Sequence, residues 1–147
     1  MDRTNERILH VLERDGRIPN TELAAKVGLS PSACLRRVQE LERTGVILGY
    51  RAVLNREALG RTFTAYVAVG LNVHTKEGQE RFERAVDRMP EVLECHNITG
   101  TVEYLLRVET ADLPAYKRFH SDDLGTLPQL RTITTYVVMG SPKDTRG

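Results

Sequence analysis

No run in this 147-residue sequence approaches the roughly 20 consecutive apolar residues needed to cross a bilayer. Its first residues, Met1-Asp2-Arg3-Thr4-Asn5, contain no apolar stretch of the kind that directs secretion, so a cytoplasmic protein is expected. Cysteine is scarce as well. Cys34 and Cys95 each fall in an apolar pattern in separate parts of the chain, which predicts two buried thiols rather than a disulfide. There is no Cys-x-x-Cys, and His10, His74, His96 and His120 are scattered, so neither a structural metal nor another cofactor is expected. Net charge is nearly absent, at +1. Residues 1–60 hold ten Lys/Arg against eight Asp/Glu, and residues 61–147 hold eleven against twelve. Binding to a polyanion through bulk charge is thereby excluded, and any nucleic-acid contact must come from a local patch, doubled if the chain dimerises.

What is present is an apolar fraction of 40% beside 28% charged residues, the composition of a soluble globular protein with one good core or two small ones. Thr4 to Arg14 reads as a helix with Ile8, Leu9 and Leu12 on one side, ended by Asp15-Gly16. Asn20 is placed to cap a second helix, Thr21 to Val27, whose Leu23, Ala24 and Val27 share a face. Gly28 follows at once. A glycine there permits the left-handed backbone that lets one short helix stop and the next begin at a steep angle, the helix-turn-helix arrangement.

The third helix, entered through Leu29-Ser30-Pro31 and running to Arg43, carries two stripes. Ser30 can cap its first turn and Pro31 sits at the first helical position, where a missing N–H costs nothing. Cys34, Val38 and Leu41 recur at i, i+4 and i+7 as an apolar stripe. Ser32, Arg36, Gln39 and Arg43 form a second stripe without an acid, and these side chains can hydrogen-bond base edges and phosphates, with Leu35 beside them able to meet a thymine methyl. The same pattern describes an ordinary amphipathic surface helix; its place after a one-glycine turn favours the DNA reading. Gly45 then ends the helix, and Val46 to Leu54 predicts a small hairpin or wing.

From Thr62 the period changes from 3.6 to 2. Phe63, Ala65, Val67, Val69, Leu71 and Val73 alternate with small or ambivalent residues, which predicts a long strand packed on both faces, one of them against another subunit. A helix over 75–89 carrying Phe82, Val86 and Met89, strands over 92–99 and 102–108, a helix capped by Asp112, and a last strand from Leu130 to Met139 complete a β-α-β-β-α-β order. The expected fold class is α+β: a winged helix-turn-helix domain over 1–54, a linker over 55–61, a ferredoxin-like βαββαβ domain over 62–140 and a flexible tail over 141–147.

With both units placed, the chain resembles the Lrp/AsnC, or feast/famine, transcription regulators over nearly its whole length. The likeness is carried by Asp15-Gly16-Arg17, Glu22-Leu23-Ala24, Val27 to Pro31, Arg37 to Glu42, Gly49-Tyr50-Arg51-Ala52, Glu94-Cys95-His96, Gly100 with Tyr104-Leu105-Leu106, and Thr135 to Met139. It implies an N-terminal DNA-binding domain and a C-terminal effector-sensing domain of the RAM/ACT-like kind. It further implies a homodimer assembling into octamers or similar discs, with an amino acid or related metabolite between dimers. The family's effector loop usually reads Gly-Asp-aromatic-Asp-Tyr. Here Gly100-Thr101-Val102-Glu103-Tyr104 keeps the glycine, one acid and the tyrosine, and replaces the first acid by threonine and the aromatic by valine.

On these grounds Ser30, Ser32, Leu35, Arg36, Arg37, Gln39 and Arg43 are the expected contacts to double-stranded DNA, with Arg36 and Gln39 reading bases and Arg43 on phosphate. A dimer would read a roughly palindromic operator with half-sites about one turn, ~10 bp, apart. Arg37 has two readings, a DNA contact or an ion pair with Glu40 or Glu22. The effector site is expected at Gly100, Thr101, Val102, Glu103 and Tyr104, with His96, Thr132 and Thr134 within reach and Glu103 pairing an ammonium group; a tight turn needing a glycine is the other reading of that loop. The chain is expected not to be an enzyme. The alternative is catalysis on the same fold, because siroheme decarboxylases resemble it too.

Overall fold

A computed structural model describes residues 1–146. Two compact units divide the chain, Met1–Val53 and a second beginning at Leu54. The first holds three helices: α1 (Arg3–Arg14), α2 (Asn20–Val27) and α3 (Pro31–Arg43). Their packing follows from the apolar stripes, since Ile8 of α1, Leu23, Ala24 and Val27 of α2, and Cys34 and Leu41 of α3 meet in one buried cluster. Each fully buried aliphatic side chain there contributes about 1.5–3 kcal/mol relative to an exposed one. Gly28 adopts φ 73°, ψ 36°, and its N–H closes α2 on the Ala24 carbonyl. The turn between α2 and α3 depends on that left-handed backbone.

Two local expectations change. Asn20 does not cap α2; Pro19 holds the N-cap position without a side-chain bond, and the Asn20 amide instead donates to the Pro31 carbonyl at 2.8 Å, tying α2 to the start of α3. No wing forms among the described residues, since 46–55 contains no strand. Leu48 is 95% exposed, and Val53 and Leu54 are exposed too. The segment has strand-like composition but no neighbouring edge in its own unit to pair with, and an unpaired strand is not stable alone.

The second unit is a four-stranded antiparallel sheet: β1 (Phe63–Leu71), β2 (Val92–Asn97), β3 (Tyr104–Thr110) and β4 (Leu130–Val137), in the order β2-β3-β1-β4. Helix α4 (Lys76–Asp87), capped by Thr75, follows β1, and α5 (Leu113–Arg118), capped by Asp112, continues into a wider π-helical turn (Phe119–Asp123) and a tighter 3-10 turn ending at Thr126. This is the ferredoxin-like arrangement. Ala65, Val67, Val69 and Leu71 of β1 and Tyr104, Leu106 and Val108 of β3 pack with Phe82, Val86, Tyr116, Phe119 and Leu124 into the core on the helix side.

The opposite residues of each strand face away from the helices. Cross-strand pairing sets Glu94 against Arg107, His96 against Leu105, Tyr66 against Tyr136, Ala68 against Thr134 and Gly70 against Thr132, all on this open face. Cys34 is buried as expected, but Cys95 is exposed. It lies on β2, an edge strand with one neighbour only, so its flank has no second strand to cover it. No described helix is long and apolar enough to cross a membrane.

Candidate nucleic-acid interface and ligand loop

Helix α3 is built as its sequence dictates. The Ser30 hydroxyl accepts the Ala33 N–H, Pro31 occupies the first turn, and Cys34 and Leu41 go inward. Ser32, Leu35, Arg36, Gln39 and Arg43 are all exposed. Ser30 and Ser32 lie with their hydroxyls 3.4 Å apart. Among the described residues Arg36 and Gln39 have no hydrogen-bonded side-chain partner, so their donors and acceptors are open to an incoming ligand.

Two arginines on α3 are already engaged. Arg37 is half-buried and donates to Asp2 Oδ2 at 2.7 Å and to Asn5 Oδ1 at 3.2 Å. Its partner is therefore neither Glu40 nor Glu22, and its guanidinium fastens α3 to the start of α1. Asp2 also accepts the Asn5 N–H as the cap of α1. That backbone bond and the Arg37 guanidinium hold the Asp2 carboxyl below its usual range. Arg43 donates twice to Glu40, at 2.9 and 2.5 Å, on the helix surface. The stripe is thus free of acid in sequence but not in space, because Glu40 reaches over to its last arginine; Arg36 is the cation left unpaired.

The residues expected at the effector site do not form a single cluster. Gly100 and Thr101 are exposed in the loop between β2 and β3, and Gly100 takes φ 126°, a backbone region nearly closed to other residues. Val102 is half-buried beside them. Glu103 is not free to bind an ammonium group with both oxygens: Oε2 accepts the Leu71 N–H at 2.8 Å where β1 ends, and Oε1 lies 3.4 Å from His74 Nδ1. Tyr104 leaves the site altogether. It is 1% exposed, packs on Phe82 with ring centroids 4.8 Å apart and donates its hydroxyl to Glu83. Alternation explains this, since the residue after Glu103 must face the opposite side of the sheet.

His96 and Thr132 with Thr134 both lie on the open face, but on its two edge strands, three strand spacings or about 14 Å apart. Gly70 lies between Thr132 and Glu103 across the end of the sheet. A Cβ on Gly70 would come within 2.4 Å of Thr132 Oγ1, so the glycine is what lets that threonine lean inward. The end of the open face therefore carries Ala68 and Gly70 on β1, with Thr132 and Thr134 beside them on β4, Glu103 and Leu105 on the β3 side, and His96 beyond Leu105 on β2.

Further along the same face runs a charge network that sequence reasoning missed. Arg107, whose side chain is 14% exposed, donates to Glu94 and to Glu109 Oε1 at 2.7 Å; Arg56 lies 3.4 Å from Glu109 Oε2, and His96 pairs with Glu94 at 3.0 Å. Burial pushes the Glu94 carboxyl up, but hydrogen bonds from Arg107 and His96 outweigh it and bring it to about 2. Arg146 of the tail also reaches Glu94 and the Tyr66 hydroxyl, so the tail lies on this face rather than fraying; residue 147 lies outside the described residues. The signal was available. Glu94 with His96, and Arg107 with Glu109, recur at period 2 within strands otherwise apolar, which places four polar groups on one face.

Residues 1–42 match the AsnC-type helix-turn-helix domain, and residues 64–147 match the Lrp/AsnC ligand binding domain. The chain belongs to the Lrp/AsnC family. It is 41% identical to the leucine-responsive regulatory protein of Escherichia coli over 144 residues, 98% of this chain and 88% of the relative. It is similar in structure to a Neisseria meningitidis transcriptional regulator solved as an L-methionine complex, with a TM-score of 0.94, 35% identity, and coverage of 98% of this chain and 93% of that one. An AsnC family regulator from Agrobacterium tumefaciens gives 0.92 and 34%, covering 98% and 94%.

The protein is thus a DNA-binding transcriptional regulator of the Lrp/AsnC type with a ligand-binding domain. These relatives are regulators, and they give the decarboxylase alternative no support. Nor does the placement of the histidines: His10 is on α1, His74 in the loop before α4, His96 on β2 and His120 after α5. As an Lrp/AsnC protein it carries Thr101 and Val102 in the loop between β2 and β3.

Proposed function

We propose that this Lrp/AsnC regulator reads DNA through Ser32, Leu35, Arg36 and Gln39 of α3, with Ser30 and Arg43 on the sugar-phosphate backbone, and that Arg37 acts as scaffold. We further propose that it responds to an amino acid held at the loop end of the open sheet face, between copies of the chain. The observation that carries the DNA reading is the unpaired Arg36 on an exposed helix face beside Gln39, both long enough for bidentate contact with a base edge. In a dimer the two α3 helices read half-sites about 10 bp apart.

The amino-acid reading is supported by the names of the relatives, a leucine-responsive protein and an L-methionine complex. Chemically, exposed Gly100 and Thr101 offer backbone and hydroxyl groups for a carboxylate, while one oxygen of Glu103 remains beside His74 for an ammonium group. Because His96 and the two threonines lie on opposite edges of one sheet, a second subunit is needed to enclose a small ligand on this face. The open face offers Tyr66, Leu105 and Tyr136 for such packing.

Selection from a randomised duplex library should return a palindromic sequence for the parent. Arg36→Ala should bind that sequence more weakly by about 1–3 kcal/mol and relax one position in each half-site. An Arg36→Ala variant selecting the same sequence with the same affinity would overturn the assignment. Thermal unfolding against each common amino acid names the effector, since a ligand selective for the folded state raises the melting temperature. No shift with any of them would overturn the amino-acid reading.

A further inference from the structure

On α1, Arg3, Arg7, His10 and Arg14 follow one another at i, i+4, i+7 and i+11, which keeps them within one narrow arc of the helix surface. All four are exposed. The carboxylates of the helix, Glu6 and Glu13, fall together on one flank of this line. The other flank faces the end of α2, where Arg7 donates to the Lys26 carbonyl at 2.9 Å. Between the two helices lies an open groove of about 500 Å³ lined by Arg3, Glu6, Arg7, His10 and Lys26. It presents three permanent cations against one carboxylate.

The ion pairs of the helical unit make this line distinctive. Arg37 and Arg43 of α3 are matched with Asp2 and Glu40. Among the described residues Arg3, Arg7, Arg14 and Lys26 have no carboxylate partner. Four unmatched cations on one side of a unit of small net charge repel one another and gain from an anion that can meet several at once. Arg3 to Arg14 spans about 16 Å of helix, a length over which a duplex carries about ten phosphate charges. A small metabolite would meet one or two of these cations; an extended polyanion meets the whole line.

We propose that the Arg3–Arg7–His10–Arg14 line with Lys26 is a second DNA contact, blind to sequence, that takes phosphates of the duplex outside the bases read by α3. This rests on the reading of α3 as the base-reading helix. It assigns α1 a share of affinity without a share of specificity, a division in which phosphate contacts position and base contacts select. It also accounts for how a chain of net charge +1 holds DNA: the cations are few but segregated.

The test uses the full chain and a mixed-sequence 40-bp duplex, with affinity measured by fluorescence anisotropy across a salt series. Arg3→Gln/Lys26→Gln leaves the Arg7 bond to α2 in place. Each phosphate contact contributes about 0.9 to the slope of log affinity against log salt, so the double variant should lower that slope by about 1.8 per bound subunit. Glu6→Gln removes the groove's carboxylate and should tighten binding to the same duplex. In library selection the double variant should return the parent's sequence. An unchanged salt slope in a double variant whose circular dichroism and melting curve match the parent overturns the proposal, and so does a Glu6→Gln variant that binds no tighter. If the parent selects no sequence while the slope still falls, the α3 reading fails and the α1 contact stands.

Discussion

Arg37 of α3 donates to Asp2 at the very start of α1, with 2.7 Å between Nη1 and Oδ2, across 35 positions of sequence. The same carboxylate caps α1 through the Asn5 N–H. One acidic side chain therefore closes the end of the first helix and anchors the third. The anchor adjoins the exposed stripe of Ser32, Arg36 and Gln39, because Arg37 is next to Arg36 on α3.

Arg37→Ala should lower the melting temperature of the helical unit, and Asp2→Ala should lower it further, since it removes the cap as well as the ion pair. The double variant should melt no lower than Asp2→Ala alone. Thermal unfolding of the four proteins checks this; independent, additive losses would show that the pair is not coupled.

The pH response should map to Glu94. Its carboxyl is held at about 2 against an ordinary value of 4.5, so the charged form is favoured in the folded state. A depressed carboxyl contributes stability that is complete above its unfolded value and lost as pH falls through the folded one. The parent should therefore lose stability between pH 4.5 and 2, and Glu94→Gln should show a flatter curve across that window. Unfolding midpoints in denaturant at successive pH values measure it, and parallel curves for the two proteins would contradict it.

Glu103 separates a structural from a ligand-binding role through two substitutions. Glu103→Ala leaves the N–H of fully buried Leu71 without its acceptor, which should cost about 1–3 kcal/mol. Glu103→Gln keeps an acceptor oxygen and should recover most of that stability while losing the charge beside His74. If the amino-acid reading holds, the glutamine variant folds like the parent but responds to the effector at higher concentration. Chemical denaturation and thermal shifts with added amino acids report the two quantities separately.

Gly70 and Thr132 should behave as a matched pair. Gly70→Ala places a Cβ within 2.4 Å of Thr132 Oγ1 and should destabilise the sheet unit by about 1–3 kcal/mol. With Thr132→Ala added, the nearest atom of residue 132 is its Cβ at 3.7 Å, an ordinary contact, and Arg131 Nη2 at 3.3 Å is the end of a flexible side chain that can move aside, so the double variant should recover stability. A double variant no more stable than Gly70→Ala would mean that strand geometry, rather than the hydroxyl, is what excludes a side chain there.

Much of this molecule was legible from short-range pattern. The Ser30-Pro31 start of α3, the left-handed Gly28, the inward Cys34 and Leu41, and the period-2 run of β1 are local: each is set by backbone chemistry and by residues within a turn or two. The same holds for the exposure of Ser32, Arg36 and Gln39, which follows from helical phase once the buried stripe is known. Family membership could be read from the order of such local phrases along the chain.

Tertiary structure decided which distant groups those local surfaces meet. Periodicity puts Arg37 beside the buried stripe but says nothing of Asp2, and it puts an acid at 103 without revealing the Leu71 N–H, 32 positions away, that occupies it. Tyr104 belongs to the family's loop phrase, yet strand alternation turns it into the core against Phe82. Residues 46–54 have the composition of a wing, but a strand exists only where another edge offers its hydrogen bonds, and none does within this unit. The direction of a side chain is written in its immediate neighbours, whereas its partner is chosen by the packing of elements whose sequence separation carries no local trace.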